Sequence, residues 1–240
     1  MFGGVRVSLR DLVSVLPAEY MFKLLDIRPN LVDWKKISRE SKLSEEFIEE
    51  HKDKIDWELI SGYQDLSEDF IEKYKDKLDW LYIAIHQKLS EPFIEKYKDR
   101  LNWYTVSTCQ KLSEPFIERH KDRVDWEAIS RYQKLSEKFI DKYKNRVDWE
   151  NISKYQKLSE DFIEKHKDRV VWRLISEYQE LSEPFIEKYK DRVDWYWISG
   201  SQKLSEPFIE KHVDRVHWDQ IFKHQSLSKE FRKKYGKVYL

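Results

Sequence analysis

The side chains best suited to chemistry in this chain are seven histidines, a single cysteine and a dense population of charges. Imidazole, thiolate and carboxylate together could hold zinc or run acid–base catalysis, and spacing decides whether they are placed to do so. Four histidines, His51, His120, His166 and His212, occupy one place in a repeating pattern, and tyrosine fills that place in the other complete copies. A position where His and Tyr interchange calls for a flat amphipathic ring at the edge of a core, not a metal ligand. His86 and Cys109 share another place in adjacent copies. Zinc needs three or four ligands, and that same place holds Tyr63 and Tyr132 on either side. Glycine-rich phosphate loops are lacking, since Gly62 and Gly200 stand singly, and no Ser or Cys nucleophile carries a distinctive motif. The expectation is a chain that is not an enzyme, with no catalytic residue, metal or cofactor.

The remaining chemistry-bearing columns read as structure. A tryptophan recurs from Trp57 through Trp80, Trp103 and onward to Trp218. It could offer a stacking platform for bases or sugars, but it sits beside near-constant Ile and Ser and is better read as core. A glutamine recurs from Gln64 to Gln225, suited to a hydrogen-bonded ladder between copies or to satisfying turn carbonyls. Basic side chains would align in stripes, as in a repeat protein that reads one base per copy. Acidic residues cancel them within each copy, 45 basic against 45 acidic in all, which weakens the phosphate-neutralising attraction that nucleic-acid binding needs.

The elements that must position these residues follow from an unbroken repeat. Leu-Ser recurs at Leu43, Leu66, Leu89, Leu112, Leu135, Leu158, Leu181, Leu204 and Leu227, each interval being 23 residues. Residues 43–226 are therefore eight complete repeats, 227–240 starts a partial C-terminal one, and 1–42 is an N-terminal segment ending in a degenerate capping repeat. In the repeat 112–134, Ser113 is a good N-cap, Glu114 suits a positive helix end and Pro115 fits the first turn. This predicts a helix A over 114–122. Asp125 then caps a shorter helix B over 126–133, joined by a turn of two or three residues. Counting each repeat from its Leu as position 1, helix A gathers Phe at 5, Ile at 6, Tyr or His at 9 and an aliphatic at 13 on one face. In helix B, Trp at 15, Ile or Val at 18, Ser at 19 and Gln at 22 fall within an arc of roughly 100°. One apolar stripe per helix, too narrow to be buried alone, predicts an all-α fold, an α-solenoid of antiparallel helix–turn–helix repeats that share their faces with neighbours.

The blocks Leu-Ser-Glu-x-Phe-Ile and Val-Asp-Trp, as at 181–186 and 193–195, resemble tandem repeats of about this length in proteins of giant DNA viruses. The resemblance spans roughly residues 31–240. It implies the helical repeat fold and a viral origin, and carries no mechanism. The segment LPAEYMFKLL (16–25) is similar to the opening of an F-box, with Leu16, Pro17, Glu19, Leu24 and Leu25 in suitable places, while a capping repeat accounts for the same stretch. One cysteine excludes an intrachain disulfide and fits a reducing compartment, so a cytoplasmic, intracellular location is expected, in a virus-infected cell on the resemblance. The start does not read as a secretory signal, and no stretch has the apolar length of a membrane span.

A fixed framework thus carries a variable face, formed by helix-B positions 16, 17 and 20. Two aromatic and aliphatic clusters mark it as a candidate for binding a protein or peptide partner: Leu81, Tyr82, Ile85 and Tyr104 in adjoining repeats, and Tyr196 with Trp197. Such anchors beside changing polar residues are what protein interfaces use. The leading expectation is a protein–protein interaction scaffold. The alternatives are a structural spacer or assembly element, whose variable face is solvated drift, and a nucleic-acid-binding repeat protein.

Overall fold

A computed structural model describes residues 18–239. Residues 1–17, with the non-signal-like start and Leu16 and Pro17 of the F-box-like segment, lie outside the described residues. Among the described residues every regular element is helical, and the chain is an α-solenoid with the expected step of 23 residues. By packing it divides into two compact units, Met1–Arg123 and Val124–Leu240. The same local construction is found in each.

The repeat 181–203 shows how the sequence dictates it. Helix A runs Glu183–Lys188, with the Ser182 hydroxyl accepting from the Phe185 N–H at 3.3 Å and Pro184 in the first turn. Helix B runs Trp195–Ser201, capped by the Asp194 carboxylate, which accepts from the Tyr196 N–H at 3.0 Å. The caps expected at Ser113 and Asp125 are likewise present, accepting from the Phe116 and Ala128 N–H groups.

Helix A is shorter than the sequence predicts. In the repeat 112–134 it covers Glu114–Arg119 and stops before His120, so the connection to helix B is longer than two or three residues. Tertiary partners take over from the helix at this point. In the repeat 181–203 the chain bends at Tyr189, whose carbonyl accepts from the Arg192 and Val193 N–H groups at 2.8 and 3.0 Å. The bend buries Val193, and the Lys190 carbonyl, freed from the helix, accepts the Trp195 indole N–H at 2.9 Å. An orphan helix-end carbonyl is thereby satisfied by an aromatic donor.

Adjacent repeats are locked by buried polar groups as much as by apolar ones. The Gln202 amide accepts from the Leu181 N–H at 2.9 Å and donates to the Ser176 and Gln179 carbonyls of the preceding repeat at 2.9 and 2.7 Å. Buried Ser176 donates to the Trp172 carbonyl at 2.8 Å and accepts the Asp194 N–H at 2.9 Å, so it satisfies the cap residue of the following repeat. The N-terminal unit repeats the scheme, Gln87 accepting from Leu66 and donating to the Ser61 and Gln64 carbonyls. The Gln column is therefore a ladder of structural bonds. Around it lie fully buried Ile83, Ile175 and Ile198, with Phe93 and Phe185 nearly so.

At the N-terminal end, helix Ala18–Ile27 and a 3₁₀ turn Pro29–Leu31 precede a B-type helix Trp34–Glu40 capped by Asp33. Phe22 packs edge-on against Phe47 of the first complete repeat, with ring centroids 5.4 Å apart. At the other end Lys229–Tyr239 is a longer A-type helix that covers Trp218 with Phe231 and Tyr235.

Candidate protein-binding surface

On the A-helix side two columns of charges are paired with the next repeat. Position 7 of one repeat meets position 8 of the following one: Lys165–Asp141 at 2.9 Å, Lys188–Glu164 at 2.5 Å and Lys211–Glu187 at 2.9 Å in the C-terminal unit, and Lys73–Glu49 and Lys96–Glu72 in the N-terminal unit. A second ladder joins position 11 to position 12, with Arg123–Asp99 and Arg192–Asp168 both at 2.7 Å. The sequence leads one to expect cancellation inside each repeat, whereas these bridges run between repeats. The lysine partners hold the Glu49, Glu72 and Glu164 carboxyls below the usual range, and Lys211 with His212 brings Glu187 down to about 2.

The position-9 rings join the same network. His120 Nε2 lies 2.6 Å from Glu95, His212 Nε2 lies 2.7 Å from Glu187, and His166 Nε2 lies 3.1 Å from the shorter Asp141. Burial pushes the His166 imidazole below its ordinary range against the pull of that carboxylate. Each ring also packs on the preceding repeat's tryptophan, as Trp149–His166 and Trp172–Tyr189 do at 4.9 Å. The tryptophans of this column are half-buried from Trp57 to Trp195, and Trp218 is buried. Trp172 stacks on Phe185, with the Arg192 guanidinium 5.7 Å from its ring centroid. Trp80 is covered in the same way by Phe93, Tyr97 and Arg100. Their faces are already occupied by protein. Among the described residues no cluster of His, Cys, Asp and Glu is grouped to hold a metal ion, and no helix is long and apolar enough to cross a membrane.

The open surface is on helix B, at positions 16, 20 and 21. Leu81, Ile85, Tyr104 and Tyr196 are exposed as the sequence suggests, Tyr104 at 62%. Tyr82 and Trp197, both at position 17, are only half-buried side chains within the packing, not free anchors. A Cβ added at Gly62 would meet Tyr82 Cδ1 at 3.2 Å, so the missing side chain of one repeat makes room for the ring of the next. Tyr82 also stacks on His86 at 6.1 Å. Other position-17 residues, Thr105 and Leu174, are buried. Position 17 thus belongs to the contact between successive B helices.

Sequence reasoning missed position 21. Tyr63, Tyr132, Tyr155 and Tyr178 all stand exposed there, with His86 and Cys109 in the same column. The available signal was tyrosine recurring in a register that neither heads nor lines the apolar stripe. In the C-terminal unit two cations interleave with these rings. Arg131 lies 5.0 Å from the Tyr132 centroid and 5.2 Å from that of Tyr155, and Lys154 lies 5.2 Å from Tyr155 and 5.0 Å from Tyr178. Comparison of the chain with protein-family models, curated proteins and solved structures finds no match.

Proposed function

We propose that the chain is a protein-binding scaffold that engages a protein or peptide through the open face of its B helices. What supports this reading is a contrast between the two sides of the repeat. On the A side, cations and carboxylates are paired by the step of the repeat. On the B side, large side chains that the stack does not need stand in solvent: Tyr63, Leu81, Ile85 and Tyr104 in one unit, Tyr132, Tyr155, Tyr178 and Tyr196 in the other. Contiguous exposed apolar and aromatic groups on a folded chain mark interaction surfaces, and tyrosine is enriched among the residues that carry binding energy.

Leu81 and Tyr104 are the residues to change, because both are exposed, whereas Tyr82 also packs against its neighbours. The double variant Leu81→Lys with Tyr104→Lys should recover about ten-fold less partner in affinity capture from the native cell. Its melting temperature and far-UV circular dichroism should match those of the parent. Undiminished capture by a folded double variant would overturn the assignment.

A further inference from the structure

We infer that the B-helix face of the Val124–Leu240 unit binds an extended acidic segment of a partner protein, whose carboxylates pair with Arg131 and Lys154. This deepens the scaffold reading and rests on it. The inference starts from two charges without a carboxylate. Among the described residues neither Arg131 nor Lys154 has an acidic partner, whereas the A-side cations at positions 8 and 12 are matched from repeat to repeat. Each is held instead between two tyrosine rings, which fixes a long flexible side chain at the surface and reduces what it must lose on binding. The phenols of Tyr155 and Tyr178 also keep the Lys154 ammonium above the ordinary lysine range, and so charged.

The surroundings favour an anion. Lys154, Tyr155, Lys157 and Tyr178 line a cleft of about 380 Å³. Two acids share that cleft. Glu160 is spent on the Ser182 N–H and hydroxyl at 2.5 and 3.1 Å, and Glu180 completes the lining. Glu127 and Glu150, at position 16, stand one helical turn before Arg131 and Lys154 on the same open face, yet neither cation leaves its tyrosines to pair with them. The tyrosine hydroxyls add donors that a carboxylate can use.

The occupant's form follows from spacing. Arg131 and Lys154 each lie 5.2 Å from the Tyr155 centroid, so they stand no more than about 10 Å apart, the distance between packed helices. An extended polyproline-like chain rises about 3.1 Å per residue with three residues per turn, presenting every third side chain on one face roughly 9 Å apart. An acidic residue at every third position matches the two cations. Stacked nucleobases fit less well, because Arg131 and Lys154 already lie over the Tyr155 ring.

The test uses the full chain and a fluorescein-labelled peptide of repeated Glu-Pro-Ala, with Gln-Pro-Ala as control, read by fluorescence anisotropy. The parent should bind the Glu peptide saturably and at least ten-fold more tightly than the Gln peptide, with affinity falling as salt rises. Arg131→Gln with Lys154→Gln should lose at least ten-fold. Lys144→Gln with Lys167→Gln, which removes equal charge from the A side, should stay within about two-fold. As a second handle on the same residues, Arg131→Glu with Lys154→Glu should acquire binding of a Lys-Pro-Ala peptide. The inference is overturned by any of three results: no saturable binding of the Glu peptide, equal loss in the A-side control, or tighter binding of single-stranded oligothymidylate than of the Glu peptide. The Leu81→Lys, Tyr104→Lys variant should bind the Glu peptide like the parent. If its partner capture falls while the Glu peptide fails to bind the parent, the scaffold reading survives and only this inference is lost.

Discussion

The N-terminal and C-terminal units are built on one framework and wear two different faces. Gln87 and Gln179 make equivalent three-way bonds, and Trp80 and Trp172 are each covered by Phe, Tyr and Arg of the following repeat. On the open side of helix B the likeness ends. The first unit presents Leu81, Ile85 and Tyr104, with Tyr63 stacked on His86. The second interleaves Arg131 and Lys154 with Tyr132, Tyr155 and Tyr178. Positions 5, 15, 18 and 22 build the stack, and positions 16, 20 and 21 vary with little reference to it. Surface chemistry can therefore differ between units with no change in the step of the repeat.

If the framework is common, equivalent core changes must hurt both units equally. Phe116→Ala and Phe185→Ala, one in each unit and both buried, should each cost about 3–5 kcal/mol in chemical denaturation. A much smaller loss at one of them would show that the units are not packed alike. Gln87→Ala and Gln179→Ala should each cost about 3 kcal/mol, because a leucine N–H and two buried carbonyls lose their partner. Unequal effects there would break the comparison at the polar ladder.

The smallest effects are expected from titration. The position-7 carboxyls sit below their ordinary range, so the stability they contribute is complete above the usual carboxylate pKa. It is lost as pH falls through their folded values, about 2 for Glu187. Melting temperature should decline over that acidic window, and less steeply in high salt, which already weakens these exposed pairs. His166 is also depressed, so its neutral form contributes fully above the ordinary histidine pKa and that contribution fades as pH drops below it. His166→Tyr, which installs the ring found at Tyr189, should flatten the stability profile in this higher window alone. An unchanged profile would remove the distinction between the His and Tyr repeats.

The period, the caps and the constant arcs were legible because each is a local rule repeated without insertion. Ser113 and Asp125 announce their helices through residue type and spacing alone. The early end of helix A was hidden, since it depends on the Trp195 indole reaching the Lys190 carbonyl, a contact set by the fold. The role of position 17 is hidden for a related reason. Its angle on an isolated helix points away from the constant arc, yet the B helix of the neighbouring repeat arrives there, as Gly62 under Tyr82 shows. The charges were read as paired within a repeat because that sums to zero, and a step of 23 residues brings the true partners from next door. Tyr155 and its column were passed over because tyrosine varies there with His, Cys and Ser.

The central claim is that partners are engaged on the helix-B face and not on the salt-bridged A side. A photoreactive phenylalanine analogue placed at Tyr104, and separately at exposed Lys52 on the A side, tests it directly in the native cell. Partner adducts should form from position 104 and not from position 52. Adducts from position 52 alone, from both positions equally, or from neither would contradict the account.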